Sequence, residues 1–134
     1  KLMIKIGFPR AFSQIQALFP EKEKERDLYI IAEDTAKSEI LGAVRFFYGE
    51  EQVDIYEMIM TYQGDQAMAV FDGIIRTLLY KMAEEGCTAL SVKGATGEFA
   101  AYFKGHDFSE EGEVLIHRAF VGEFFKPCAG CSEK

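Results

Sequence analysis

The stretch that decides the fold runs from Val53 to Gly86 and reads VDIYEMIMTYQGDQAMAVFDGIIRTLLYKMAEEG. In its second half, apolar side chains recur at offsets of three, four, seven, eight and eleven residues, which is the spacing of one face of an α-helix. These positions are Phe71, Ile74, Ile75, Leu78, Leu79 and Met82. Gly86 follows them and supplies the usual helix stop. The sequence therefore predicts one long amphipathic helix that ends before Gly86.

The first half of this stretch predicts a strand over residues 53–60, with mostly apolar residues on both faces. Regular alternation places Val53, Ile55, Glu57 and Ile59 on one face and Asp54, Tyr56, Met58 and Met60 on the other. A strand covered on both faces belongs near the middle of a sheet. Between strand and helix lies TYQGDQAMA, where the free amide groups of a helix start could bind an anion.

The remaining elements surround this strand and helix. We expect strands over Leu2–Phe8, Leu28–Ala32, Ile40–Tyr48, Thr88–Val92 and Glu113–Val121, and short helices after Pro9 and over Glu98–Lys104. A strand, long helix and strand in succession predict a parallel crossover, whereas the three strands directly before the helix predict an antiparallel meander. The fold class is therefore α+β, with a mixed, mainly antiparallel sheet flanked by helices.

Two further expectations concern the first helix and the segment after it. The apolar residues of the first helix should pack on the sheet, and they are Phe12, Ile15, Leu18 and Phe19. The charge run EKEKERD, residues 21–27, is interpreted as a solvated loop or a ragged helical turn.

Composition restricts the classes of partner. The chain has 134 residues, of which 49% are hydrophobic, so it is about the size of one domain. A net charge of −7 argues against nucleic acid and against anionic lipid as partners. No window approaches the ~20 apolar residues of a membrane span, and no signal-peptide pattern is present. Three cysteines, an odd number, agree with a reducing compartment. We expect one cytoplasmic domain over residues 1–134, with a short flexible tail from about residue 126.

This order of elements resembles the GNAT N-acetyltransferase superfamily over essentially the whole chain. In that family a loop of the form Gln/Arg-x-x-Gly-x-Gly/Ala precedes the long helix and binds the pyrophosphate of acetyl-CoA. Counting back from Gly86 places this loop on Gln66-Ala67-Met68-Ala69-Val70-Phe71. Gln66 fits the pattern, while Ala69 and Phe71 depart from it, and the loop contains Asp65 but no Lys or Arg. The resemblance implies that acetyl-CoA is the cofactor, held by residues 66–71.

Phe71 decides how well that loop can work. Exposing a Phe side chain forgoes about 1.5–3 kcal/mol of burial, so we expect the ring to turn inward. The amide groups would then stay open and bind acetyl-CoA weakly, at tens to hundreds of micromolar. An outward ring would instead cover the helix start, and acetyl-CoA would not bind.

The resemblance also implies catalytic residues. Acyl transfer to an amine needs a base, and Glu57 lies where family strands often carry a Glu, although it could instead point into solvent at a strand end. The adjacent residues Met58, Ile59 and Met60 would receive the pantetheine arm like an added strand.

A second signature of the family, an aromatic pair followed by Gly-Phe, is matched approximately by Tyr102-Phe103-Lys104-Gly105-His106-Asp107-Phe108. Family enzymes often carry a Tyr as the second aromatic, where it can protonate the departing thiolate. Phe103 stands there in this chain, and Tyr102 lies one position earlier. Tyr102 is therefore the candidate acid, and Phe103 is a candidate contact of the cofactor.

Two functions remain open from the sequence. The first is an acyl-CoA-dependent N-acyltransferase that acts on the amine of a small molecule or peptide. The second is a binding or regulatory module that has kept the fold and lost turnover, which the departures at Phe71 and Phe103 favour. Association into a homodimer also stays open.

Cys128 and Cys131 have the spacing of half a zinc site or of a redox pair. They supply two of the four ligands of a structural zinc, and neither histidine has ligand spacing, so we assign no metal site within the chain. The alternatives are a mobile tail, a zinc ion bridging two copies, and a regulatory disulfide.

Deleting residues 127–134 should leave the melting temperature almost unchanged, because two thiols near a terminus close no loop by themselves. Thermal melts of the full and shortened chains test this. Stoichiometric zinc in freshly purified protein that disappears when Cys128 and Cys131 are both changed to Ser would contradict it.

Overall fold

The computed structural model describes residues 2–19 and 27–124, which form one sheet and four helices. The strands are β1 (Ile4–Gly7), β2 (Leu28–Asp34), β3 (Glu39–Tyr48), β4 (Gln52–Met60), β5 (Ala89–Lys93), β6 (Ser109–Glu111) and β7 (Val114–His117). The helices are α1 (Phe12–Gln16), α2 (Ala67–Glu84), α3 (Gly97–Gly105) and α4 (Phe120–Phe124). The predicted tail, with Cys128 and Cys131, lies outside the described residues.

The sheet has the strand order β1-β2-β3-β4-β5-β7-β6. Strands β2 to β4 form the predicted antiparallel meander, and β1 extends it by pairing with β2. β4 pairs with β5 in parallel after the α2 crossover. The last two pairings are antiparallel. The mixed, mainly antiparallel α+β fold is thus confirmed. In the described part of the chain, no helix is both long and apolar enough to cross a membrane.

Helix α2 covers one face of the sheet. Its buried residues are Val70, Phe71, Ile74, Ile75, Leu78, Leu79 and Met82, so the predicted stripe is confirmed. They form one core with side chains of β2, β3 and β4, including Ile30, Val44 and Ile55. The helix begins at Ala67, before the first residue of the apolar stripe. The residues of its first turn, Ala67, Met68 and Ala69, are not fully buried, so they do not extend the stripe. Gly73 lets β1 approach α2 closely, since a Cβ there would lie 2.7 Å from the Ile6 side chain.

Helix α1 covers the other face. Ile15 and Phe19 pack with Tyr29, Ile31 and Ala43 in a second core, and Leu18 is partly buried against it. The prediction is confirmed for these three residues of the first helix region. The prediction is wrong for Phe12, which is 53% exposed. Because α1 is only five residues long, contact with the sheet is made by its last turn and the residues that follow it.

The predicted strand Glu113–Val121 is wrong beyond His117. A hairpin, β6–β7, turns at Gly112, whose φ of +67° suits glycine, and α4 follows it. Phe120 and Val121 are consecutive and both buried, which a strand with one covered face cannot arrange but a short helix can. All three side chains of β6 are exposed, so no hydrophobic pattern marks this strand in the sequence.

Replacing Leu78 by Ala should lower the free energy of unfolding by about 2–5 kcal/mol, because Leu78 is fully buried in the core under α2. Urea melts measure the change. Glu84→Ala is the matched control, since Glu84 is exposed on the same helix and should change stability by less than about 0.5 kcal/mol. A similar small loss for Leu78→Ala would contradict the core assignment.

Candidate functional site

Strand β4 parts from β5 halfway along its length. The two strands pair only from Gln52 to Ile55, whose partners run from Ala89 to Val92. β4 nevertheless continues to Met60 and stays paired with β3 on its other side. The β4 edge that faces β5 is therefore unpaired from Tyr56 to Met60 in the described structure. An open edge of this kind can receive an extended ligand as an added strand.

A β-bulge lies where the two strands part. Glu57 pairs with Arg45 and Ile55 pairs with Phe46, so Tyr56 is an extra residue in β4. The bulge reverses the alternation: Met58 and Met60 pack towards the α2 core, as Val53 and Ile55 do. The opposite face carries Asp54, Tyr56, Glu57 and Ile59. The regular alternation expected from the sequence therefore holds as far as Tyr56 and is wrong from Glu57 onward.

Glu57 is paired with a buried cation. Its carboxylate oxygen Oε1 lies 2.7 Å from Nη1 of Arg45, and the two side chains are 35% and 4% exposed. The geometry is that of an ion pair without a hydrogen bond. Burial opposes the charge on Arg45, but attraction to Glu57, aided by two tyrosines, raises the pKa of Arg45 above its ordinary value. Glu57 thus does not end in open solvent, the alternative that the sequence left open.

Aromatic rings enclose the Arg45 guanidinium. Its central carbon lies 4.8 Å from the Phe19 ring centre, 5.5 Å from that of Tyr29 and 5.6 Å from that of Tyr56. Such contacts favour a desolvated cation. Two of its nitrogens, Nε and Nη2, are buried without a hydrogen-bond acceptor. The three rings and the ion pair with Glu57 are therefore the contacts that hold Arg45, and through them the carboxylate of Glu57 lies beside the bulge.

Tyr56 extends this cluster to Asp27. The Tyr56 hydroxyl donates a hydrogen bond to Asp27, and burial together with that carboxylate raises the pKa of Tyr56 to about 12. Asp27 is buried, contrary to the interpretation of residues 21–27 as a solvated loop, while residues 20–26 lie outside the described part. This contact could not be predicted from a sequence pattern, because Asp27 and Tyr56 are 29 residues apart.

The start of α2 differs from the predicted loop. The turn before it is closed by a hydrogen bond from the Ala67 amide to the Gly64 carbonyl, and Gln66 is the N-cap residue. Met68 and Ala69 lie in the first turn, where amide groups have no partner within the helix. The Val70 amide already donates to the Gln66 carbonyl. The available amides are therefore those of Met68 and Ala69, because Ala67, Val70 and Phe71 do not offer theirs to a ligand.

Phe71 turns inward, as predicted. Its ring is 1% exposed and packs against the rings of Phe99, Tyr102 and Phe103 at 4.7, 5.4 and 5.9 Å between centres. Phe103 is also fully buried, so its side chain is a core residue and is not available to a bound cofactor. Replacing Phe71 would test packing and would not report on the amides.

A cleft of about 480 Å³ lies beside the start of α2. Tyr62, Asp65 and Gln66 line one side of it, and Asp34 and Lys37 are on the other. Lys37 supplies a basic side chain that the loop itself lacks. Sequence analysis missed it because it belongs to the turn between β2 and β3, far from the loop in the chain.

Tyr102 is engaged elsewhere. Its hydroxyl donates to Oδ1 of Asp72 at 2.6 Å, and Asp72 also accepts from Arg76. Burial, and then Asp72, raises the pKa of Tyr102 well above its ordinary value. Tyr102 thus links α3 to α2, and the structure does not bring it together with Glu57. In the part of the chain that the structure describes, no group of three or more potential ligands could hold a metal ion.

Solved structures with the same fold include several acetyltransferases. One is an acetyltransferase of the GNAT family from Staphylococcus aureus Mu50, with a TM-score of 0.61 and 9% identity over 87% of this chain and 99% of that chain. Another is YhhK from Escherichia coli bound to coenzyme A, with a TM-score of 0.56 and 13% identity over 88% and 98% of the two chains. The chain therefore has the GNAT fold. No family model and no curated protein sequence matches it.

A third similar structure, the KacTA–DNA complex, has a TM-score of 0.62 and 12% identity over 93% of this chain and 98% of that one. The GNAT fold thus occurs in an assembly that contains DNA. The expectation that this chain has no nucleic-acid partner rests on its net charge and remains a prediction.

Changing Tyr102 to Phe should make the protein less sensitive to alkali. The pKa of Tyr102 is raised in the folded state, so its contribution to stability is complete below the unfolded pKa of about 10 and is lost as the pH rises above it. The drop in unfolding free energy between pH 8 and pH 11 should be about 1 kcal/mol smaller in the variant. Urea melts at both pH values measure this drop.

Tyr80→Phe is the matched control, because it removes the hydroxyl of a tyrosine that is largely exposed on α2. Identical pH dependence in wild type and Tyr102→Phe would remove Tyr102 from this role.

Proposed function

We propose that this chain is an acyl-CoA-dependent N-acyltransferase that transfers an acyl group to an amine. The observation that carries the proposal is the open β4 edge, Tyr56–Met60, which leads through a short loop to the start of α2. One extended ligand could pair with that edge and place its anionic end at the helix amides. Acyl-CoA is such a ligand: its diphosphate would lie at the helix amides, and its acyl thioester would lie at the other end, beside β4.

The residues at both ends of this path fit such a ligand. The edge of Met58, Ile59 and Met60 offers free backbone donors and acceptors to the amides of a pantetheine arm. The helix start offers amides and the positive end of the helix dipole, with the small residues Ala67 and Ala69 around them. Gln66 is exposed beside them.

The charges near the helix start set the expected affinity. Asp65 opposes a diphosphate, and Lys37 across the adjacent cleft partly offsets it. We therefore expect acetyl-CoA to bind at tens to hundreds of micromolar, which corresponds to roughly −5 to −6.5 kcal/mol.

Glu57 is the proposed base. It lies beside the bulge on the face of β4 opposite α2, where it can accept a proton from an amine directly or through one water. Arg45 holds the carboxylate in place through the ion pair. We assign Tyr102 no part in the chemistry, because its hydroxyl is bound to Asp72 and its raised pKa does not match an acid that works near neutral pH.

A specific observation favours the second function, a binding module without turnover. Both groups that the sequence proposes for proton transfer have partners inside the protein: Glu57 is paired with Arg45, and Tyr102 is bonded to Asp72. In such a module the open edge and the helix start would bind an acyl-CoA without passing on its acyl group.

Calorimetry with acetyl-CoA tests the binding step. Ala69→Asp should weaken binding at least about tenfold, because the new carboxylate lies among the amides of the first turn and repels an anion. The substitution should not harm the fold, since Asp is favoured in the first turn of a helix. Ala69→Ser is the neutral control of similar size.

Failure of the wild type to bind at millimolar concentration would exclude both functions that use acyl-CoA. Equal affinity of Ala69→Asp and wild type would place the anionic end of the ligand away from α2.

Glu57→Gln tests the chemical step. It should lower the rate of thiol release from acetyl-CoA with an amine acceptor at neutral pH and leave acetyl-CoA binding intact, because Gln keeps the shape but is not a base. Melting temperatures are recorded beside the rates, since the change also deprives Arg45 of its ion pair. Equal rates across a pH series would remove Glu57 from the mechanism. Binding without thiol release in the wild type, over a broad set of amines, would favour the module.

A further inference from the structure

A second cleft, of about 360 Å³, lies on the sheet face opposite α2. We call it the sheet-face cleft. Its lining includes Phe47 of β3, Asp54 and Tyr56 of β4, Ser91 and Lys93 of β5, and Val114 of β7. It spans the seam at which β4 and β5 are paired and ends where they part.

The cleft contains one acidic side chain, Asp54, and one basic side chain, Lys93, that are not paired with each other. Asp54 lies directly opposite Ser91 in the sheet, and Lys93 is two residues further along β5. From strand geometry, the Cα atoms of Asp54 and Lys93 are about 8 Å apart on the same face. In the described structure neither forms an ion pair with any residue. Asp54 accepts one hydrogen bond, from the Gln52 side chain at 2.8 Å, on Oδ1.

The walls of the cleft are aromatic. The rings of Phe47 and Tyr56 meet edge to face with 5.8 Å between their centres. Because the Tyr56 hydroxyl is already used by Asp27, Tyr56 presents its ring to the cleft rather than a free donor. An apolar group can therefore be covered next to the two charges.

We propose that the sheet-face cleft binds the acceptor as a zwitterion, a free α-amino acid, with its ammonium group at Asp54 and its carboxylate at Lys93. This inference rests on the proposed function. The side chain of the amino acid packs on Phe47 and Tyr56. An acceptor without a carboxylate, such as a peptide amino terminus or a polyamine, leaves Lys93 unmatched, and a simple anion is opposed by Asp54.

The bulge relates this cleft to the proposed base. Tyr56 lines the cleft, and Glu57, the next residue, faces the same side of the sheet because the bulge places both on one face. An amine held in the cleft thus lies on the side of β4 that carries Glu57. The open β4 edge, along which acyl-CoA is proposed to bind, begins at Tyr56, where the cleft ends.

Ligand-observed NMR with the twenty free L-amino acids, each at about 10 mM and without acetyl-CoA, tests the proposal. At least one should bind, and both its methyl ester and its N-acetyl derivative should bind at least about tenfold more weakly, since each lacks one of the two charges. These comparisons use the wild-type protein and need no variant.

Two variants assign the charges. Lys93→Met should bind the amino acid and its methyl ester with equal affinity, because the cation that selects the carboxylate is gone. Asp54→Asn should bind the amino acid and its N-acetyl derivative with equal affinity, because the carboxylate that selects the ammonium group is gone. The matched controls are Lys5→Met and Glu39→Gln, which alter exposed charges outside the cleft and should keep the wild-type preferences.

The outcomes separate this inference from the proposed function. Binding of acetyl-CoA in calorimetry without binding of any amino acid would overturn the inference alone. Equal binding of acid and ester to the wild type would also overturn it and would point to a peptide amino terminus. Charge-selective binding of an amino acid without binding of acetyl-CoA would support an amino-acid site in the sheet-face cleft and would overturn the proposed acyltransferase function.

Discussion

The extra residue at Tyr56 determines how the central strand serves the rest of the molecule. Before it, β4 is held by strands on both sides, and its apolar residues Val53 and Ile55 lie under α2. After it, the alternation is reversed, so Met58 and Met60 take over the contact with the α2 core and Glu57 turns to the opposite face. A single inserted residue thus lets one strand supply core packing, an unpaired edge and a carboxylate within a few residues.

The carboxylate in turn depends on a cation that is costly to bury. Desolvating a guanidinium is unfavourable, and Arg45 remains inside because Glu57 and three aromatic rings compensate for lost water. Two of these rings, Tyr29 of β2 and Phe19 after α1, belong to the second core. Packing of that core therefore also positions Arg45 and Glu57. The residues that stabilise this face therefore also hold the proposed base, whereas the α2 face is almost purely apolar.

Regular periodicity made the main elements predictable from sequence. The stripe from Phe71 to Met82 identified α2, and the burial of Phe71 followed from its place in that stripe. The bulge was not predictable, because β4 is apolar on both faces and shows no break in pattern at Tyr56. β6 was missed because its three residues are polar and exposed.

The site contacts that sequence analysis missed join residues distant in the chain. Asp27 meets Tyr56, and Tyr102 meets Asp72, a pair 30 residues apart. A resemblance to a family could suggest Tyr102 as an acid, but the partner of its hydroxyl depends on how α3 packs against α2. The same holds for Lys37, which reaches the start of α2 from another turn.

The short pairing between β4 and β5 has a mechanical consequence. Four residue pairs join the β1–β4 meander to the β5–β7–β6 group, and the strands run apart beyond Ile55 and Val92. Beyond this seam the two groups are held together by the core that α2 shares with both of them. The width of the gap between β4 and β5 therefore depends on side-chain packing under α2 as much as on backbone pairing.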